Sequence, residues 1–373
     1  MKVRSSINQL RSYLSVMDHP LHWSVKSNVP NELAPSMFPE RRKFYGELSI
    51  ATFNMLSPCY KRLYSGADGE MEADAHFMWK QRLKDTLRFF QTHLLSHSVI
   101  ALQEFWTNRE YSNRFIELAN SQGHQLHVAR RHESRKEDAL ALSIDKSKLR
   151  MMQTKSVPLC NKRDRIGLIV WLYHKQSKKN LLIANTHLSF PHNEFDRREQ
   201  INQIQILLET LNKFAVTNNI THASRIVLGD LNVESNSDVC DFLRKEGFAS
   251  VMDVCPPVNG AVPPALGFPL HHRSVFVSHR THRLEDLGVD HIFVKSEYDQ
   301  HRQCDQHDLL NDRIYHHDQH YLLSTQSSSP CLFVSNSAIL PTELSASRWH
   351  PEKYFSISDH RPVSSTMVFG KKI

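Results

Sequence analysis

Short apolar runs recur along the chain, and each gives way to a polar side chain near its end. Residues 226–232 run Ile226-Val227-Leu228-Gly229-Asp230-Leu231-Asn232, and their β-branched start reads as a strand buried on both faces. Residues i and i+2 of extended backbone point the same way, so Asp230 and Asn232 are expected to face one place together. The same three residues also fit an Asp-x-Asn turn. Residues 47–54 alternate, end on Asn54 and stop before Pro58, which cannot donate a ladder hydrogen bond. Residues 98–104 end on Glu104, and residues 181–188 carry His187 next to their last position. Residues 139–144 and 166–173 are further strands. In residues 287–294 the two-residue period sets Asp290 with Ile292 and opposite Val289, His291 and Phe293. An ionisable Asp among apolar neighbours needs a partner, and an imidazole N–H is the common one. The closing segment, 354–363, holds Asp359 and His360, which as neighbours converge on one cavity only from a strand-to-loop turn.

Between these runs the period changes to that of a helix. Leu83, Leu87, Phe90 and Leu94 recur at helical spacing within 79–97, and residues 108–122 form a second helix stopped at Gly123. Ile201, Ile204, Leu207, Leu208 and Leu211 form the buried face of a helix over 197–213. Residues 238–246 form a short helix with Gly247 at its stop. The length permits one large domain or two ordinary ones, preceded by a loosely ordered, proline-punctuated arm over 1–45. Residues 297–353 are rich in His, Asp, Gln and Ser and read as a polar insert. His301, Cys304, His307, His316 and His317 in it have the chemistry of an accessory transition-metal site, against the plainer reading of solvated histidines.

Composition narrows the function classes. The 373-residue chain carries a formal charge of +7 and a sequence pI of 9.0, which favours polyanionic partners, either nucleic acid or an acidic membrane surface. Basic clusters at Arg130-Arg131, Arg135-Lys136, Lys162-Arg163 with Arg165, and Lys178-Lys179 read first as solvated faces. No apolar run is long enough to span a bilayer, and the first residues lack the apolar core of a secretory signal. The expectation is an intracellular protein, cytoplasmic or nuclear, and a monomer. Six cysteines without a Cys-x-x-Cys pair argue against a structural zinc site and for a reducing compartment. The acidic loop over 65–69 has too few ligand positions for an EF-hand. Neither a Gly-x-Ser-x-Gly elbow nor a glycine-rich phosphate loop is present, which removes support for acyl transfer and nucleotide-triphosphate motor chemistry.

What remains is a set of hard oxygen donors and imidazoles at strand ends, where open sheets place ligands. Asn54, Glu104, His187, Asp230, Asn232, Asp290, Asp359 and His360 make up the set. Oxygen donors without thiolate point to Mg²⁺ or Mn²⁺.

Thr52-Phe53-Asn54, Leu102-Gln103-Glu104, Asn185-Thr186-His187-Leu188, Gly229-Asp230-Leu231-Asn232, Val289-Asp290-His291-Ile292 and Ser358-Asp359-His360-Arg361-Pro362 together resemble the endonuclease/exonuclease/phosphatase superfamily, in that family's order. Leu56-Ser57-Pro58, Gln103-Glu104-Phe105-Trp106 and residues 187–193 look most like the branch near nocturnin, the deadenylases and a plant calcium-binding group. Ser278-His279-Arg280-Thr281-His282-Arg283 also resembles the plant group. The resemblance implies a single domain over 46–373 with a deoxyribonuclease I-like α/β fold, a four-layer sandwich of two mixed β-sheets flanked by helices. It also implies metal-dependent phosphoester hydrolysis. By motif match Glu104 is the principal metal ligand, with Asn54 and Asp359 nearby. Asp230 orients or deprotonates the attacking water, and Asn54, His187 and Asn232 contact substrate. His360 stabilises charge on the phosphorus centre and Asp290 sets its tautomer. A nuclease acting on RNA or another nucleic acid is the favoured reading, with Phe190 and Phe195 suited to stacking, as is Trp106 against its default reading as a structural residue. A phosphatase or phosphodiesterase on phosphoinositide, sphingolipid head groups or small phosphorylated metabolites is the alternative. A non-catalytic scaffold would lack a ligand or base, and every matched residue type is present.

Overall fold

The alternating apolar runs pair into two six-stranded sheets. The computed structural model describes residues 42–63, 69–131, 136–159, 165–255, 276–281, 283, 285–296, 331–342 and 355–372. In chain order the strands are β1 (Arg42–Asn54), β2 (Val99–Trp106), β3 (His124–Arg130), β4 (Asp138–Asp145), β5 (Leu149–Pro158), β6 (Ile166–His174), β7 (Lys179–His187), β8 (Ser224–Asp230), β9 (Ala249–Ser250), β10 (His279–Arg280), β11 (Asp286–Leu287), β12 (Asp290–Lys295), β13 (Cys331–Ile339) and β14 (Val363–Lys372). The α-helices are α1 (His76–Phe89), α2 (Arg109–Ser121), α3 (Glu194–Thr217), α4 (Asp238–Lys245) and α5 (Val251–Val254). One sheet runs β13-β14-β1-β2-β4-β3 and the other β5-β6-β7-β8-β12-β9, while β10 and β11 form a separate ribbon. Both large sheets are mixed, with parallel pairs at β1–β2 and β7–β8.

Three apolar clusters bind these layers. Leu48, Ile50, Val99 and Leu142 of the first sheet meet Leu168, Ile183, Ile226 and Leu228 of the second. The outer face of the first sheet packs Phe53, Ile100 and Leu102 on Trp79, Leu83 and Phe115 of α1 and α2. The outer face of the second packs Leu182, Val227 and Phe293 on Ile204, Leu207 and Leu211 of α3. The result is the expected four-layer sandwich of helix, sheet, sheet and helix.

A buried amide bridge between Gln103 and Asn185 crosses the apolar space between the sheets. Gln103 Nε2 donates to Asn185 Oδ1 at 2.7 Å. Asn185 Nδ2 donates in turn to the carbonyls of Leu102 and Ala141 at 3.1 and 3.0 Å. Both amides are fully buried. Asn185→Ala leaves the Gln103 amide without this partner, and we expect it to lower unfolding stability by about 3 kcal/mol. Urea titration checks this as a reduced midpoint at unchanged slope.

Several expectations shift at element ends and edges. The helix expected over 79–97 is α1 followed by a π-helical turn, Phe90–Leu94, closed by Leu95 N–H donating to the Phe90 carbonyl at 2.9 Å. Edge strand β5 alternates partly buried and exposed residues, including Arg150 and Lys155, so its pattern is that of a solvated edge. Strand β13 falls inside the stretch read as a polar insert and pairs with β14. The remaining insert residues 297–330 and 343–353, with the histidines and Cys304 of the accessory metal reading, lie outside the described residues, as does most of the 65–69 loop. Residues 1–41 of the expected arm also lie outside them, and Arg42 to Tyr45 belong to β1.

Candidate active site

Strand register assembles the centre. In the second sheet His187 pairs with Asp230, and Asp230 pairs with Asp290, so three candidate side chains form one row across β7, β8 and β12. Gly229, at φ +137°, lets β8 press against β7 there, since a Cβ would run into the Thr186 carbonyl. In the first sheet Asn54 pairs with Gln103, and Glu104 follows. The β2–β4 register shifts between Leu102 and Phe105, and Glu104 sits in this bulge at φ +52°. A bulge re-aims a side chain, and a non-glycine residue in left-handed backbone is strained unless its surroundings hold it. Ser57 N–H does so here, donating to Glu104 Oε2 at 3.1 Å.

Asp230 Oδ2 is the hub. Asn54 Nδ2 donates to it at 2.9 Å and reaches Glu104 Oε1 at 3.3 Å, tying the two carboxylates across the sheets. His187 Nε2 lies 3.5 Å from the same oxygen and His360 Nε2 3.7 Å. His360 Nδ1 donates to Asp290 Oδ2 at 2.8 Å, and Ser278 Oγ donates to that oxygen at 2.7 Å. The Ser358 hydroxyl donates to the Asn54 carbonyl at 2.8 Å, which anchors the turn bearing Asp359 and His360 beside β1. His279, on β10, stacks face to face on His360 with centroids 4.1 Å apart, and its Nε2 lies 3.5 Å from Asp359 Oδ2.

The electrostatics follow from burying this much charge together. Burial, then repulsion from Asp359, pushes the Glu104 carboxyl up to about 7. Burial also raises Asp230, against the attraction of His360. Burial opposes the charge of His360, but Asp290 and Asp230 outweigh it and push the imidazole up to about 10. For Asp359 burial acts upward, and the His279 hydrogen bond with the His360 charge overcomes it, holding the carboxyl at about 2. His187 is held neutral by burial and by the nearby Arg165 and Arg131.

The expected residues therefore converge, with two adjustments. Asn232 does not share a face with Asp230 in continuous strand. It lies past β8 at φ +52°, its N–H donates to Asp230 Oδ1 at 2.9 Å, and its Nδ2 donates to the Leu188 carbonyl at 2.9 Å. The Asp-x-Asn turn is present, and it engages Asp230 Oδ1 while Oδ2 remains the hub. Trp106 is 3% exposed and donates Nε1 to Glu137 at 2.9 Å, so it is not a stacking platform, whereas Phe190 and Phe195 are 48% and 67% exposed. His279, Ser57, Ser278 and Ser358 were not among the expected site residues. All four stand in segments that carry the family resemblance, residues 56–58, 278–283 and 358–362, but nothing in those segments singled them out as contacts of the centre.

Two trios bring potential metal-binding atoms together, His279 with Asp359 and His360, and Asp230 with Asp290 and His360. In the second, the charged His360 ring already sits between the carboxylates, so it takes the place of a cation. Glu104 and Asp359, by contrast, repel each other.

No family model matches the chain. It is 31% identical over 260 residues, 66% of its length, to an uncharacterized calcium-binding protein of Arabidopsis thaliana, and spans about half (50%) of that relative. The solved catalytic domain of human nocturnin superposes with TM-score 0.55 at 16% identity, covering 88% of this chain and 97% of that one. The 2′,3′-cyclic phosphatase ANGEL2, in complex with adenosine-2′,3′-vanadate, superposes with TM-score 0.58 at 17% identity, covering 89% and 99%. This chain has the endonuclease/exonuclease/phosphatase fold. Within that fold the row of His187, Asp230 and Asp290 stands at one end of the sheets, and among the described residues no helix is long and apolar enough to cross a membrane.

Proposed function

We propose that this chain is a divalent-metal-dependent phosphoester hydrolase, and that its substrate is RNA or another nucleic acid. The observation that carries the reading is Asp230 Oδ2 held among Asn54, His187 and His360, with Glu104 turned toward the same place by its bulge. A phosphodiester anion repels water's lone pairs, so hydrolysis needs positive charge on its oxygens and a base behind the water.

A hard cation fits the donors present. Glu104 and Asp359 repel each other, the first strained in its bulge and pushed up to about 7, and Asn54 Oδ1 retains a lone pair beyond its bond from Leu56 N–H. Glu104 and Asp359 with Asn54 would hold Mg²⁺ or Mn²⁺. When bound, the ion supplies charge neutralisation to the phosphate and keeps both carboxylates ionised. Asp230 accepts the proton of the attacking water, and its raised affinity for a proton suits a base working near neutral pH. His360 stays an imidazolium and offers Nε2–H to the oxygen on which charge grows, while Asp290 holds its Nδ1–H. His187 and Asn232 complete the floor on which the phosphate rests. The exposed Phe190 and Phe195, next to His187 in the chain, suit stacking on bases.

A panel of RNA, DNA, phosphoinositide, sphingomyelin and a small phosphomonoester tests the reading, with wild type beside Asp230→Asn. We expect an oligonucleotide to be cleaved in Mg²⁺, the activity to stop on EDTA and to return with added Mg²⁺. Turnover of lipid or monoester alone would assign the site to a phosphatase, and turnover indifferent to EDTA would remove the metal.

A further inference from the structure

Arg165 directly precedes β6, whose register against β7 pairs Gly167 with Thr186. Following both strands to their ends brings Arg165 beside His187 and Leu188, at the edge of the row that holds Asp230. Its guanidinium Nη1 is buried with no hydrogen-bond partner. An unmet buried donor of this kind carries a penalty that an acceptor would remove. Burial and the Arg131 charge disfavour the Arg165 cation, while Asp138, Glu104 and Asp230 favour it, so the guanidinium lies within electrostatic reach of both halves of the centre.

Arg131 stands on the other sheet and is already engaged. It pairs with Asp138, whose second oxygen accepts the Tyr60 hydroxyl at 2.6 Å. Asp138 in turn is in register with Trp106, two residues beyond Glu104. One guanidinium is thus fixed and charge-paired, and a second, next to the reaction row, belongs to a half-buried side chain whose buried Nη1 has no partner. His187, which both arginines help to keep neutral, adds a buried Nδ1 that also lacks a partner.

We propose that Arg165, backed by Arg131, forms an anion subsite beside the reaction centre that holds a second phosphate of the substrate. The guanidinium fork matches two phosphate oxygens at once. The subsite also offsets the repulsion that the carboxylates of the centre exert on a substrate with more than one negative charge. An isolated phosphodiester leaves Arg165 empty. A neighbouring backbone phosphate, or the far phosphate of an anhydride, fills it.

This inference rests on the phosphoester reading, and calorimetric titration separates the two because it needs no turnover. Wild type is titrated in excess Mg²⁺ with methylphosphonate and methylenediphosphonate, and with adenosine 5′-monophosphate and adenosine 3′,5′-bisphosphate. We expect at least one two-phosphate probe to bind about tenfold more tightly than its one-phosphate counterpart, and Arg165→Gln to erase that ratio. The anhydride-type and nucleotide pairs tell the two sources of a second phosphate apart. Arg165→Lys, which keeps the charge but not the fork, should retain an intermediate ratio, and it takes over the test if Arg165→Gln melts before titration. Equal binding within both pairs in the wild type, or a ratio that survives Arg165→Gln or is unchanged in Arg165→Lys, overturns the subsite. A chain that hydrolyses none of the panel yet shows an Arg165-dependent ratio keeps the subsite and loses the hydrolase.

Discussion

Glu104→Gln is expected to cut kcat/KM on the preferred phosphodiester by about 10³-fold or more, while making the metal-free protein more resistant to heat at alkaline pH. The two effects have one origin. Glu104 sits at φ +52° in the β2 bulge, where burial and repulsion from Asp359 raise it to about 7 from its ordinary 4.5. A carboxyl raised in this way keeps, when folded, a proton that the unfolded chain gives up, so its contribution to stability falls as pH climbs from about 4.5 through 7. The neutral amide keeps the size and can accept one of the two hydrogen bonds, from Ser57 N–H or Asn54 Nδ2, without the charge. Without a cation, Glu104→Gln should therefore melt above wild type at about pH 8, and the gap should close at about pH 4. Added Mg²⁺ should raise the melting temperature of wild type, because it binds only the folded form, and should leave the variant nearly unmoved. Scanning calorimetry at the two pH values, with and without Mg²⁺, reads all four states. A variant that melts below wild type throughout and keeps its activity would show Glu104 to be a structural carboxylate.

The centre was legible in the sequence where a polar residue interrupts or ends an apolar run. Asn54, Glu104, Asp230 and Asp290 each do so, because a strand buried on both faces tolerates a carboxylate or amide only at its end or with a partner. Partnership over long separations was not legible as geometry. His360 and Asp290 are joined at 2.8 Å across seventy residues, and periodicity within one segment says nothing about which other segment lies alongside. The bulge at Glu104 is equally silent, since it depends on how β4 pairs with β2. His279 sits on a two-residue strand, too short for any period to register. Arg165 looks like one charge in a basic cluster, and only the register of β6 against β7 sets it beside His187. Strands β5 and β13 escaped for a different reason, as their exposed residues break the apolar pattern of an interior strand.

Asp290→Asn is the complementary change, and its signature is a displaced pH profile together with a lower rate. His360 is buried, which on its own would favour the neutral ring. Asp290 and then Asp230 reverse that and push it up to about 10, and Asp290 also takes its Nδ1–H at 2.8 Å. In wild type the imidazolium, with Nε2–H directed to the centre, should therefore persist across the neutral range and fail only in strong alkali. The asparagine can still accept from Nδ1–H, but it removes the largest charge holding the ring protonated, and burial then draws the proton affinity down. The side-chain amide can also flip and offer N–H, which would select the wrong tautomer. We expect kcat to fall by about 10²–10⁴-fold and the alkaline limb of kcat/KM to move acidward by at least about one pH unit. Asp290 contacts His360 and Ser278, and no metal donor depends on it, so Mg²⁺ affinity should be little changed. Loss of rate with an unmoved alkaline limb would mean that His360 does not act as the charged group, and the stabilisation of the phosphorus centre would then have to come from elsewhere in the site.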